Sequence, residues 1–206
     1  RSLGMLAPSD TKYQTQHIPL KAKYPGGFDA LFLLGFMNQL PGTLSEKDRP
    51  AIDALSSNQL WQDCQDTIKR SIGLFKQAGY DLEVEDYHFT ILLGNPEKPM
   101  LQLNKGYSGD GGIPGYLMPS LLPNDYTLPH VRAALANECN YNVRFQFIKW
   151  NQQTTLAGWV VSEGLAESFA AELYGKELIG SWVTSTSSEQ LEEIKPIISS
   201  QLQLTG

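Results

Sequence analysis

Residues 57–78 carry the longest helical period in this chain. Leu60, Cys64, Ile68, Ile72 and Phe75 recur every three or four positions, the opposite face is polar, and Gly79 supplies a C-terminal stop. A helix with one apolar stripe has to bury it against other elements, and the pattern downstream supplies candidates of both kinds. From Leu82 the period shortens: residues 88–93 are rich in Phe, Thr and Ile and end at Gly94-Asn95-Pro96, which predicts a strand. Residues 116–122 predict a second strand, in which Pro119 is tolerated only at a sheet edge or a bulge. Two more helices follow. The first starts near Pro129, a residue suited to an initial helical position, and runs to about Phe147 with Val131, Ala134, Leu135 and Val143 at core spacing. The second spans residues 156–174, with Val160, Leu165, Phe169 and Leu173 expected to face inward and Gly175 as its stop. A last helix is expected from Ser188, kinked or divided at Pro196. Upstream, residues 1–27 are polar with Pro8, Pro19 and Pro25, predicting an extended segment with a short strand at 17–20. Residues 28–40 form a helical apolar run closed by Pro41-Gly42. Helices and strands in this order define an α+β class.

At 206 residues the chain suits one domain and can bury about 70% of its unfolded surface without disulfides or metals. Its net charge of -6 and scattered lysines and arginines argue against a nucleic-acid partner, because no basic run is present to neutralise a row of phosphates. The two cysteines, Cys64 and Cys139, are expected to be free buried thiols, which leans towards a reducing, cytoplasmic compartment. The longest apolar stretch, residues 30–37, is too short to span a bilayer, so no membrane span is expected.

The chemistry-bearing pattern is Asn137-Glu138-Cys139-Asn140-Tyr141, followed 22 residues past Tyr141 by Glu163-Gly-Leu-Ala-Glu167. Positions 137 and 141 are four apart on a helix, so their side chains project from one face and can converge on a single atom. With histidine at both, this would be an HExxH zinc-hydrolase helix. Two imidazoles would hold the ion, the adjacent Glu138 would accept a proton from bound water, and Glu163 on the next helix would complete the protein ligands. Glu167, one turn later, is suited to orient a ligand side chain from behind. The five glycines within residues 106–115 lack both the GxGxxG spacing and a helix directly behind it, so they predict a flexible lip beside a cleft rather than a phosphate cradle. Gly112, Tyr116 and Leu117 are the expected cleft residues. Cys139 beside Glu138 has no local histidine base and reads as a packed thiol.

The words GYSGDGGIPGY, LLPNDY, AALANECNYNVRFQF and VSEGLAESFAAELYG resemble a bacterial family of predicted zinc-dependent proteases, originally a domain of unknown function. The resemblance is strong over about a third of the chain. It implies a single zincin-like domain of glutamate-zincin type over residues 1–206, with a helix and strand part at 1–105 and an active-site part at 106–206. In it a small mixed sheet packs on the active-site helix and a following glutamate helix. It also implies zinc as the family's cofactor, Glu138 as the general base and Glu163 as the glutamate ligand, with Asn137 and Tyr141 standing at the two histidine positions.

Those two departures bear on the chemistry. A neutral amide oxygen is a poor zinc ligand beside an imidazole, and a phenol with a pKa near 10 must lose its proton before it binds well. Without the ion, Glu138 faces a water whose pKa stays about nine units above the metal-bound value. His130 lies about 10 Å along the helix axis from position 137, and His88 and His17 fall on other segments, so none is expected to substitute. The expectation is a zincin-fold domain with zinc binding and peptidase activity lost or strongly weakened. The alternatives are a module that binds or senses a peptide or small ligand in the former cleft, an active metallopeptidase with an unusual metal site, and an enzyme with zinc replaced by other chemistry in which Glu138 serves as base.

Overall fold

The computed structural model describes residues 44–109, 111–112, 114–148 and 153–205. The expected strand at 17–20 and the apolar run at 28–40 lie outside these. In chain order the described elements are α1 (Arg49–Leu55), α2 (Asn58–Gln77), β1 (His88–Phe89), β2 (Leu92–Leu93), α3 (Pro99–Leu103), β3 (Tyr107–Ser108), β4 (Tyr116–Leu117) and β5 (Ser120–Leu121). The helices α4 (Thr127–Phe147), α5 (Leu156–Tyr174), α6 (Ser181–Thr184) and α7 (Ser188–Ser199) complete the order. The class is mixed α+β, as the helix and strand periods predict.

Local chemistry sets the helix ends. Ser57 precedes α2, and Gly79 follows it in the left-handed region at φ +88°, a conformation open to glycine at little cost. The Asn124 side-chain oxygen accepts the backbone N–H groups of Tyr126 and Thr127 at 2.9 Å each, and the Thr127 hydroxyl donates to the Leu122 carbonyl at 2.6 Å. This knot turns the chain from β5 straight into α4. The Thr155 hydroxyl accepts from Gly158 N–H at the start of α5, and Gly175 (φ +97°) ends it.

The sheet is small and mixed. β1 pairs with β4 and β2 with β5, both parallel, while β3 runs antiparallel on the other side of β5. The ladder passes through the gap between the short strands, because Leu92 N–H donates to the Pro119 carbonyl at 2.8 Å. Within the 116–122 run, β4 pairs with β1 alone among the described strands and is an edge as expected, whereas Ser120–Leu121 is the middle strand of three, which corrects the expectation for that half. The Pro119 carbonyl accepts from Leu92 N–H, and the N–H that proline lacks would face the same neighbouring run, so the parallel ladder loses one bond in the gap between β4 and β5 and resumes beyond it.

α4 is the spine of the molecule, packed between α2 and α5 and against β3 and β4. Its Val131, Leu135, Cys139 and Val143, each four residues from the last, meet Cys64, Ile68 and Ile72 of α2 and Ile91, Leu93, Leu117 and Leu121 from the sheet in one buried cluster. A neighbouring face of α4 presents Ala133 and Ala136 to Ala170 of α5, small side chains that let the two helices approach closely.

Two expectations about the later helices change. Phe169 and Leu173 pack on the α4–α5 contact, and Phe169 stacks on Phe75 of α2 at 4.9 Å. Val160 and Leu165, expected inward, are 49% and 46% exposed. The face of α5 turned to α4 is instead built from Ser162, Ala166, Glu167 and Ala170. α7 continues through Pro196 as one helix rather than dividing. The carbonyl of Glu192, which a residue without an N–H cannot bond, lies on a turn whose residues are all exposed, so it is not a buried polar group and the proline costs less there.

Candidate metal-site helix pair

The NECNY segment sits in the middle of α4 and the EGLAE segment in the middle of α5. The two helices bring the segments face to face. Asn137 Nδ2 donates to Glu167 Oε1 at 2.9 Å, a bond between two buried side chains. The other carboxylate oxygen, Oε2, accepts the Gly180 backbone N–H at 3.2 Å. Glu167 thus ties α4, α5 and the turn before α6 together. Burial raises its pKa, against the opposing effect of the Gly180 amide, and the charge of Glu163 raises it further.

Tyr141 meets α5 one helical turn further along. Its hydroxyl is enclosed and makes no hydrogen bond of good geometry, although it lies close enough to Glu163 for that carboxylate to add to the effect of burial. Burial first, then Glu163, hold the phenol well above its ordinary pKa, so it is protonated at any physiological pH. Tyr141→Phe removes a hydroxyl with no well-formed bond, so the expected outcome is a denaturation midpoint unchanged or raised, by about 1 kcal/mol at most. A loss above that value in urea melts would show a bond of real strength to Glu163.

Glu138 is half-buried, and the glycine-rich segment lies directly on it. A Cβ on Gly111 would run into the Glu138 backbone carbonyl, an approach that only glycine permits, and one on Gly109 would displace the end of the Glu138 side chain. The expected lip is therefore in contact with the motif helix. Among the expected cleft residues, Gly112 is exposed whereas Tyr116 and Leu117 are buried as parts of β4.

Asn142 went unnoticed in the sequence. Fully buried on α4, its Oδ1 accepts Gly115 N–H at 2.8 Å, and its Nδ2 donates to the carbonyls of Gly111 at 3.0 Å and Tyr116 at 2.8 Å. A polar side chain inside a buried helix was its one signal, because buried amides are held by partners. Tyr107 on β3 is also buried near the carboxylates. Burial pushes its phenol pKa up, with Glu167, Tyr126 and Glu138 adding to the effect. Cys64 and Cys139 are free and buried. Burial raises both thiols, Cys64 to about 12, which leaves neither reactive at neutral pH. His130 bonds the Tyr126 carbonyl through Nδ1 at 2.6 Å and packs on the Tyr126 ring, as a core histidine does.

The donors at positions 137, 141 and 163 are a neutral amide whose nitrogen is engaged with Glu167, a protonated phenol, and a carboxylate. Among the described residues no group of three or more His, Cys, Asp or Glu side chains is placed to hold a metal ion. These residues do not fit zinc, which is held by imidazole, thiolate or carboxylate.

A helix bearing an HExxH-spaced segment, packed on a second helix bearing a glutamate segment beside a small mixed sheet, defines the class of zincin-like domains. The chain belongs to the family described as predicted Zn-dependent protease (DUF2268), which it matches over residues 60–206. It is 32% identical over 203 residues to the uncharacterized protein YjfC of Bacillus subtilis (strain 168), an alignment covering 98% of this chain and 67% of YjfC. No solved structure matches it. No described helix is long and apolar enough to cross a membrane.

Proposed function

We propose that this chain is a zincin-like domain, continuous over residues 1–206, that retains the architecture of its protease family while having lost zinc binding and peptidase activity. The observation that carries this reading is the Asn137–Glu167 hydrogen bond. A carboxylate at this place suits the orientation of a ligand side chain at position 137, and here it holds an amide that is a poor donor to zinc. Tyr141, enclosed and protonated, does not supply the second ligand. Glu138 keeps the general-base position and Glu163 the glutamate-ligand position, but a general base accelerates hydrolysis only where the nucleophile is activated, and water without the ion is about nine pKa units too weak.

Peptidase assays test the proposal. Hydrolysis of unstructured protein substrates with zinc added should be indistinguishable from buffer and insensitive to a chelator. Chelator-sensitive cleavage that disappears in Glu138→Gln would overturn it.

A further inference from the structure

Glu138 and Asn142 are four residues apart on α4 and so lie one above the other on the same helix face, the face crossed by the glycine-rich segment. Two independent features bring that segment down there. Gly111 approaches the Glu138 backbone more closely than any side chain would allow, and Gly109 lies against the end of the Glu138 side chain. One turn further on, Asn142 makes three hydrogen bonds to the same stretch of backbone, taking the Gly115 N–H and giving its amide protons to the Gly111 and Tyr116 carbonyls. Gly111 is common to both features: its carbonyl is bonded to Asn142 while its Cα lies against the Glu138 backbone.

We infer that Asn142 is a positioning residue, which sets the placement of the Gly111, Gly115 and Tyr116 backbone against Glu138 and thereby how much of the Glu138 carboxylate a ligand or reagent can reach. The inference takes from the proposed function only that the surface around Glu138 is the site. It does not depend on whether position 137 binds a metal. The three bonds explain why an amide stands here. Aspartate would keep the acceptor for Gly115 but repel the two carbonyls, and an aliphatic residue would leave one amide and two carbonyls without their partner.

The test is carboxylate labelling of the whole chain with a water-soluble carbodiimide and glycine ethyl ester, read peptide by peptide in a mass spectrometer. Glu167, buried and bonded to Asn137 and Gly180, is the internal reference for the integrity of the helix pair. Asn142→Ala and Asn142→Asp should each raise the ratio of Glu138 to Glu167 labelling by about threefold or more, as local release without global unfolding does. An unchanged ratio, or a proportional rise at both carboxylates, would overturn the inference by showing a side chain that merely supports the core. Should neither variant fold, amide exchange in the unaltered protein decides. The Gly115 amide should be protected to a degree comparable with the amides of α4, and exchange at the rate of an open loop would contradict the assignment.

Discussion

Asn137→His combined with Tyr141→His is expected to restore a zinc site. Position 137 already faces Glu167 at hydrogen-bonding distance, so an imidazole placed there would find a carboxylate to orient its second nitrogen. Position 141 faces Glu163, and replacing its enclosed phenol by a smaller ring opens room between α4 and α5. The reverted protein would then offer two imidazoles and one carboxylate, the donor set of a catalytic zinc site with one position left open. Calorimetric titration should show one zinc ion bound, with an affinity gain over the unaltered chain larger than the roughly 10–100-fold that outer partners alone contribute. Adding Glu167→Ala to the reverted protein should remove about that 10–100-fold. A reverted, folded protein whose zinc affinity matched the unaltered chain would show that the backbone positions on α4 and α5 no longer converge.

The second large effect concerns the scaffold. Leu135 is 0% exposed at the centre of α4, on the face opposed to α2 and the sheet. Leu135→Ala should cost about 2–5 kcal/mol, the transfer and cavity terms together. For a chain of this size that lowers the thermal midpoint by about 2–4 °C per kcal/mol. Val160→Ala on the outer face of α5 should stay within about 0.5 kcal/mol, since the side chain is half exposed. Urea melts of the two variants compare the faces directly. Equal losses would mean that α5 buries its outer surface and that α4 is not the spine of the fold.

The difference between those two residues marks how far sequence patterning reaches. Leu135 recurs with Val131 and Val143 at multiples of four, and its burial follows from that stripe. Val160 and Leu165 are just as apolar, but α5 is rich in apolar residues on several sides, so periodicity shows no preference between a face turned to α4 and one turned away. The choice is made by Ser162, Ala166 and Ala170, whose small side chains allow α4 and α5 to close on each other, a property that hydrophobicity does not rank. The limits of α2, α4 and α5 were legible to within a residue or two because their causes are local, whereas the short helices α1, α3 and α6 were not foreseen. Thr155 caps α5 and Gly175 stops it, and both belong to the adjoining sequence.

The candidate site was legible in the same uneven way. The spacing of Asn137, Tyr141, Glu163 and Glu167 follows from helix geometry plus one packing contact, and the structure brings these four together. Asn142 could not be found by spacing, since its bonds to Gly111, Gly115 and Tyr116 are to backbone groups 26 to 31 residues earlier in the chain. The contact of Gly109 and Gly111 with Glu138 showed in the sequence only as an excess of glycine, which signals close approach without naming what is approached. Pro119 was a partial guide: it removes one ladder bond, but the run continues past it into β5, which gains β3 as a second neighbour by topology that local sequence does not show.

The central claim is that the family's metal position has passed to a hydrogen-bonded pair, and metal content measures it most directly. Protein purified without chelators from zinc-supplemented medium should carry far less than one zinc per chain, and its thermal midpoint should not move when a chelator is added. One tightly bound zinc per chain, with a midpoint that falls on chelation, would contradict the account.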